Sequence, residues 1–301
     1  MLRQAENKIY IEGILAENDL NYGSYTKDGK TVEMISGKVT VKVTKPINGV
    51  EKELMIPVHY FQQKYKKDGN PNPVYTSLET AMKEYVSIAA SDEASADRVR
   101  ITASLEMNEY YPQPGKLSSF PRLRASFINR ITKDQCHPKA EGQIEFCVGE
   151  KSNETSADGE LTGRLIFKAI VPQYGGKVDV IPLYAANSNV IDVVDNYWNS
   201  GDTVKAKVKL NFTSETREIV EEVDFGEPTV RTRTINLSEI LIVGGNQTPY
   251  DEDSAFSKSD IQAGLADRKA RLAAQEAKDA SRAKTKAAPA KSSGSIMDLG
   301  F

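Results

Sequence analysis

Asp202-Thr203-Val204-Lys205-Ala206-Lys207-Val208-Lys209-Leu210 sets Val204, Ala206, Val208 and Leu210 on one side of an extended chain and Lys205, Lys207 and Lys209 on the other. Alternation this strict is the pattern of a half-buried β-strand. The stretch echoes Asp97-Arg98-Val99-Arg100-Ile101, about 105 residues earlier. Further echoes lie to either side. Ile181-Pro182-Leu183-Tyr184 matches Ile56-Pro57-Val58-His59-Tyr60, and Arg231-Thr232-Arg233-Thr234-Ile235 matches Arg122-Leu123-Arg124-Ala125-Ser126. The Ile-Pro match spans about 125 residues, so the first copy carries the longer insertion. The pattern reads as a tandem duplication of one β-rich module.

Each module has the same order of elements. In the first, Ile9 to Leu15 opens the fold. Lys38 to Val43 alternates with Val39, Val41 and Val43 on one face, and Leu54 to Phe61 is a third strand. Ser77 to Ala90 is read as a helix capped by Ser77, with Leu78, Met82, Tyr85 and Val86 turned to the core. Arg98 to Thr102 starts a fourth strand and Pro121 to Ile131 forms a fifth. The second copy places its helix at Asn189 to Trp198, with Val190, Ile191, Val194 and Trp198 inward. Five strands with a helix between the third and fourth suit a small antiparallel barrel of the oligonucleotide/oligosaccharide-binding (OB) type. The expected fold is therefore mainly β with minor α: two tandem five-stranded OB-like barrels, residues 1–136 and 137–246, and a tail, 247–301. In the tail, Ser259 to Asp279 reads as a charged helix with a sparse stripe of Ile261, Leu265 and Leu272. Ala280 to Ser295 reads as a flexible Ala/Lys/Ser linker. Ile296 to Phe301 turns apolar again, as a docking peptide would.

Composition narrows the function. The 301 residues carry 39 Lys+Arg against 42 Asp+Glu, a formal net charge of −3, which argues against a globally basic nucleic-acid binder but not against a local basic stripe. Residues 1–246 alone hold 30 basic and 34 acidic side chains. No apolar run approaches the ~18–20 residues of a membrane span, and the first residues lack the apolar core of a secretory signal. Two cysteines cannot build a disulfide framework, which fits a reducing cytoplasm. Enzyme signatures are missing: there is no phosphate loop, no His-Glu-x-x-His and no Gly-x-Ser-x-Gly. Cys136, His137 and Cys147 are too irregularly spaced for a zinc site, and Asp251-Glu252-Asp253 lacks the distal Glu of a calcium loop. No catalytic residue, cofactor or metal is expected.

The positive signal is basic residues alternating with apolar ones. Lys205, Lys207 and Lys209 share a strand face, as do Arg122, Arg124 and Arg130, Arg98 and Arg100, and Arg231 and Arg233. Side chains two residues apart on a strand are separated by about 6.5–7 Å, a spacing able to follow the phosphates of an extended single strand. Binding of that kind releases counterions and weakens with salt. Aromatic residues supply surfaces on which bases stack. Tyr60, Phe61 and Tyr65 stand with Lys64 after the third strand. Tyr110, Tyr111 and Phe120 flank the Pro-rich stretch Pro112 to Lys116, and Tyr174 precedes Gly175-Gly176-Lys177. The candidate contacts are these bases and aromatics, Phe61 excepted. Tyr85 and Trp198 are assigned to the core.

The chain resembles phage-encoded single-stranded DNA-binding proteins. The likeness rests on Asn7 to Gly13, Ile56 to Phe61, Tyr110-Tyr111 with Pro121 to Phe127, and Ile170 to Lys177. It covers residues 7–250. The end of the chain is similar to the tip of bacterial and phage members, which close on acidic residues and a terminal apolar-Pro-Phe that recruits replication and repair enzymes. Here Asp298, Leu299 and Phe301 match, whereas Gly300 stands in place of Pro, and Lys284, Lys286 and Lys291 make the tail basic. The resemblance implies a protein that coats single-stranded DNA during phage replication or recombination, in the cytoplasm of an infected bacterium. It implies replication or recombination enzymes as partners. The sequence holds nothing that separates DNA from RNA. The other reading that fits an acidic body is a non-enzymatic interaction module, used in phage assembly or host inhibition.

Overall fold

The computed structural model describes residues 2–47, 50–113, 115–156, 159–221 and 229–287; for residues 47, 50, 214–221, 229–236 and 280–287 the backbone alone is described. The fold is mainly β. The first module comprises β1 (Asn7–Lys27), β2 (Lys30–Ile47), β3 (Val50–Gln63), α1 (Pro73–Glu84), β4 (Arg98–Gln113), β5 (Lys116–Ala125) and a short β6 (Asn129–Ile131). The second comprises β7 (Lys139–Thr155), β8 (Leu161–Pro172), β9 (Val178–Ala185), α2 (Ser188–Tyr197), β10 (Thr203–Glu221) and β11 (Thr229–Gly245). β1 pairs with β2 and β4, β2 with β3, β4 with β5, and β3 runs parallel to β5. The ring is thus closed in the order β1-β2-β3-β5-β4. The second module closes identically, in the order β7-β8-β9-β11-β10, with β9 parallel to β11.

Alternation explains why these residues make barrels. Val39, Val41 and Val43 are fully buried, as are Ile56 and Val58 opposite them, so every second residue enters the core. In the second ring Val204, Ala206 and Val208 do the same. The likeness of the two rings extends to irregularities. β1 is bulged just after Leu15, which faces Val41, and β7 just after Val148, which faces Ala169.

Asn caps both helices, and the first starts earlier than the sequence predicts. α1 begins at Pro73, not Ser77, because Asn72 accepts the Val74 N–H at 3.1 Å and Pro73 needs no hydrogen-bond acceptor in the first turn. It ends at Glu84, and Val86, expected inward, is exposed. α2 begins at Ser188, where Asn187 accepts the Asn189 N–H at 3.0 Å. Trp198 is buried against Phe146 and Phe167.

The third helix, α3 (Lys258–Ala287), departs further from the sequence reading. It continues past Asp279 into the stretch read as a linker, and it is docked on the body. Ile261 and Leu272 are buried, and Leu265 packs against the core. Gly264 lies so close to Val178 that a Cβ would come within 2.8 Å of its Cγ1. Arg268 reaches across to Glu109 of β4, and Gln275 Nε2 donates to the Glu109 carbonyl at 3.3 Å. α3 thereby spans from the second barrel to the first. No helix among the described residues is long and apolar enough to cross a membrane.

The barrels join through β1 and β7, which pair antiparallel: Asn7 faces Ile144, Ile9 faces Gly142, and Ile11 faces Ala140. Gly142 is required there. A Cβ at that position would lie 2.0 Å from the Lys8 carbonyl oxygen and 2.7 Å from the Ile9 Cα. Around this seam Lys45 pairs with Glu141 at 2.9 Å, Asp179 accepts the Met107 N–H at 3.0 Å, and Gln173 donates to the Leu105 carbonyl at 3.0 Å. Gly142→Ala is expected to force the two strands apart and destabilise the whole chain by about 1–3 kcal/mol, the usual cost of overpacking. Thermal unfolding checks this, since each kcal/mol lowers Tm by roughly 2–4 °C in a protein this large.

Candidate nucleic-acid interface

Because Val39, Val58 and Leu123 point inward, their neighbours Lys38, His59 and Arg124 point outward. Pairing aligns them across three strands: Lys38 faces His59, and His59 faces Arg124. One step to one side of this row Phe61 lies opposite Ser36, and one step to the other side Arg122 lies opposite Glu106. Two residues farther on, Phe120 faces Asn108, and Tyr110 faces Ser118. Arg124, Arg122 and Phe120 therefore form a single file along β5, which continues into the Tyr110 side of β4. The Tyr110 and Phe120 rings meet edge to face at 6.3 Å, and both are exposed. At the other end a cleft of about 620 Å³ opens over Lys38, His59, Phe61, Arg122 and Arg124. Tyr25 of β1 lies against Phe61, ring centres 6.3 Å apart.

Acidic neighbours orient these bases without burying them. Lys38 is 3.4 Å from Glu17 and 3.6 Å from Asp19. Arg122 is fixed by Glu106 at 2.6 Å and Asn108 at 3.0 Å. Arg124 approaches Glu106 only to 3.8 Å and stays 45% exposed. Burial, then the nearby Arg122 charge, pushes the His59 imidazole below its ordinary range, so it is neutral at pH 7. It offers the cleft a flat ring rather than a charge.

The remaining residues singled out in the sequence separate by surroundings. Tyr60 lines the cleft wall but is only 3% exposed; burial drives its phenol pKa far up, and its hydroxyl donates to the Phe127 carbonyl at 3.3 Å. Its ring belongs to the core. Arg98, Arg100 and Arg130 are fasteners. Arg98 donates to the Glu93 and Ala96 carbonyls at 3.2 and 2.5 Å. Arg130 pairs with Asp97 at 3.1 Å and lies 4.4 Å over the Tyr85 ring. Arg100 reaches Glu12 at 2.9 Å. Lys64 pairs with Glu33 at 2.8 Å, and Tyr65 beside it is half exposed, on the loop after β3. Tyr111 sits in the irregular stretch of β4 between Tyr110 and Gln113 and is half-buried. Tyr174 is 84% exposed and, with Lys177, occupies the β8–β9 turn that packs on α3. Lys205 pairs with Glu6 at 2.6 Å, whereas Lys207 and Lys209 are exposed. Asp298, Leu299 and Phe301 lie outside the described residues.

The echo of Arg231 and Arg233 with Arg122 and Arg124 is out of register. On β11 these two arginines face Ile219 and Arg217, far out on the β10–β11 hairpin. The positions that correspond to Arg122 and Arg124 are Glu239 and Leu241, because Glu239 faces Asn211 and Leu241 pairs with both Lys209 and Tyr184. The Ile-Pro echo is in register: Tyr184 pairs with Leu241 as His59 pairs with Arg124. Sequence reasoning also left Lys38, His59, Phe61 and Tyr25 off the contact list. Their signal was the inward alternation of Val39 and Val58, which fixes Lys38 and His59 on the outer face.

The YorF family profile matches residues 5–279. The chain belongs to the YorF family. Among solved structures, this YorF chain is similar to the wild-type single-stranded DNA binding protein from Thermus aquaticus, with a TM-score of 0.50 at 10% identity, covering 83% of this chain and 95% of that one. A deletion mutant of the Thermus protein matches with a TM-score of 0.49 at 10% identity, covering 82% and 97%. At this identity the likeness is one of fold. No curated protein matches the YorF chain.

Away from the cleft, Glu12 of β1 anchors a separate ionic cluster with Arg100 and Lys139. Its side chain is fully buried yet takes Arg100 at 2.9 Å, Lys139 at 3.2 Å and the His137 N–H at 2.7 Å. Burial opposes its ionisation, but these donors outweigh burial and hold the carboxyl down to about 2. Because the folded value lies below the unfolded one, the stabilisation is complete above the unfolded pKa of about 4.5 and is lost as pH falls through about 2. Glu12→Gln should be less stable at pH 7 and should lose part of the wild-type decline in stability over that acid window. Urea unfolding at a series of pH values measures both.

Proposed function

We propose that the chain binds single-stranded DNA along the outer face of the first barrel. The observation that carries this reading is the file Arg124, Arg122, Phe120 on β5, continued by Tyr110 and flanked by Lys38, His59 and Phe61 over one cleft. Cations at strand spacing follow phosphates, and rings beside them take bases without regard to sequence. The Thermus single-stranded DNA binding protein, whose fold is similar, adds the nucleic-acid class. In this reading residues 1–136 and 137–246 are the two copies of the module, and 247–301 is the appended segment. The chain would coat single strands during phage replication or recombination in the cytoplasm of a bacterial host. Asp298, Leu299 and Phe301 would then bring in a partner enzyme.

Fluorescence anisotropy with a labelled oligo(dT) of about 30 nucleotides, beside the same length of duplex, tests the reading. Tight binding to the single strand that weakens steeply with salt supports it, and absence of binding at low salt overturns it. Replacing Arg122 and Arg124 together by Ala should weaken binding at least tenfold. It should also reduce the slope of log K against log salt by about 1.4, at ~0.7 per phosphate contact on a single strand. Phe120→Ala should cost about 1–3 kcal/mol with little change in slope, as expected for a lost stacking surface.

A further inference from the structure

The two barrels share one topology, so the outer face of the second is an internal control for the first. The strand pairings place the corresponding residues without ambiguity. The row Lys38–His59–Arg124–Ser104 of the first barrel becomes Ile166–Tyr184–Leu241–Lys209 in the second. Arg122 and its partner Glu106 become Glu239 and Asn211. Three outward cations are thus exchanged for an Ile, a Leu and a Glu, and one Ser for a Lys. Among the described side chains of this face the one arginine, Arg164, is already engaged. Its guanidinium reaches Glu239 at 2.8 Å and Glu154 at 3.4 Å, and lies 5.0 Å over the Tyr184 ring. The ring that stands where His59 stands is therefore covered by a cation held between two carboxylates, and Glu239 is itself largely buried.

We infer that the sheet face of the first barrel alone holds the single strand, and that the second barrel has become a brace. This rests on the proposed single-strand binding and deepens it: one chain engages one barrel's length of strand. The brace has a visible route. The second barrel seats α3 through Gly264 on Val178, and α3 grips Glu109 through Arg268 and Gln275. Glu109 lies one residue from Tyr110, on the back of the hairpin whose front carries the aromatic pair. The copy that lost its basic face thus supports the hairpin of the copy that kept it.

The test uses the full chain and oligo(dT) of about 8, 16 and 32 nucleotides, bracketing the ~4–16 nucleotides that one OB barrel covers. Affinity should rise up to one barrel's length and then level off, apart from the small statistical gain of extra registers. Two engaged barrels would instead give a further rise of about a hundredfold or more through tethering. Two double variants of the second barrel, Lys207→Ala with Lys209→Ala and Arg231→Ala with Arg233→Ala, should each leave Kd within about twofold and the salt slope unchanged, as expected where no phosphate contact is lost. The pair Arg122→Gln with Arg124→Gln should lose at least tenfold. If either second-barrel variant costs as much as the Arg122 and Arg124 pair, or if affinity keeps climbing steeply to the longest oligonucleotide, the one-barrel assignment is overturned while single-strand binding stands. Failure to bind at every length overturns the single-strand reading itself, and this inference with it.

Discussion

The pairing of Asn7–Glu12 with Lys139–Ile144 is the constraint on which the rest of the molecule depends. β1 and β7 are the strands that close each ring, and each also forms part of the seam. Ile9 to Glu12 of β1 are held on both edges, between β4 and β7, and Glu141 to Ile144 of β7 are held between β1 and β10. Neither strand therefore offers a free edge over this stretch, and neither barrel can shift register without unpairing the other. The buried residues of both barrels and of α3 accordingly form one continuous core.

Charge is used for two different ends, and burial of the acidic partner distinguishes them. Arg100, Arg268 and Arg3 meet carboxylates almost wholly removed from solvent: Glu12, Glu109 and Glu145. Removing either member of such a pair strands a charge in the interior, so these arginines are committed to the fold. Lys38, Arg122 and Arg124 meet acids that are themselves partly exposed. Such contacts are worth little in water and give way readily to a phosphate, because the acids remain solvated when the cation turns away. A protein of slight net negative charge can in this way keep a basic cleft.

The extent to which this was legible in the sequence follows from what each signal encodes. Strand alternation depends only on neighbours two residues apart, so Val39, Val41 and Val43 declare their face outright, and the Ile-Pro repeat marks the third strand of each ring. The stripe Ile261, Leu265, Leu272 was readable for the same reason. Helix starts were missed because Ser77 and Asn72 both precede helix-compatible residues, and the choice is made by Pro73 and by how the chain leaves β3. The docking of α3 depends on Glu109, far away in the chain, and no local pattern announces such a partner. The arginine file was legible as residue types but not as roles: Arg98, Arg100 and Arg130 share the alternation of Arg122 and Arg124, and what sets them apart is the fold around them, the Glu93 and Ala96 carbonyls for Arg98, Glu12 for Arg100 and Asp97 for Arg130. The echo at Arg231 failed because a β-hairpin can lengthen by several residues without altering its alternation, so periodicity carries no register.

Ile9 opposite Gly142 carries one more consequence. Pairs on either side of this point mirror one another: Asn7 with Ile144 on one side, Ile11 with Ala140 on the other. Two identical barrels associating through this strand would set the same residue against itself at the centre. An isoleucine facing its own copy would hold the backbones apart, and a glycine facing its own copy would leave a void. Joining the copies in a single polypeptide frees the centre from that self-complementarity, so that one half supplies bulk and the other supplies room. The seam is then specific for its covalent partner and disfavours assembly of either half with itself.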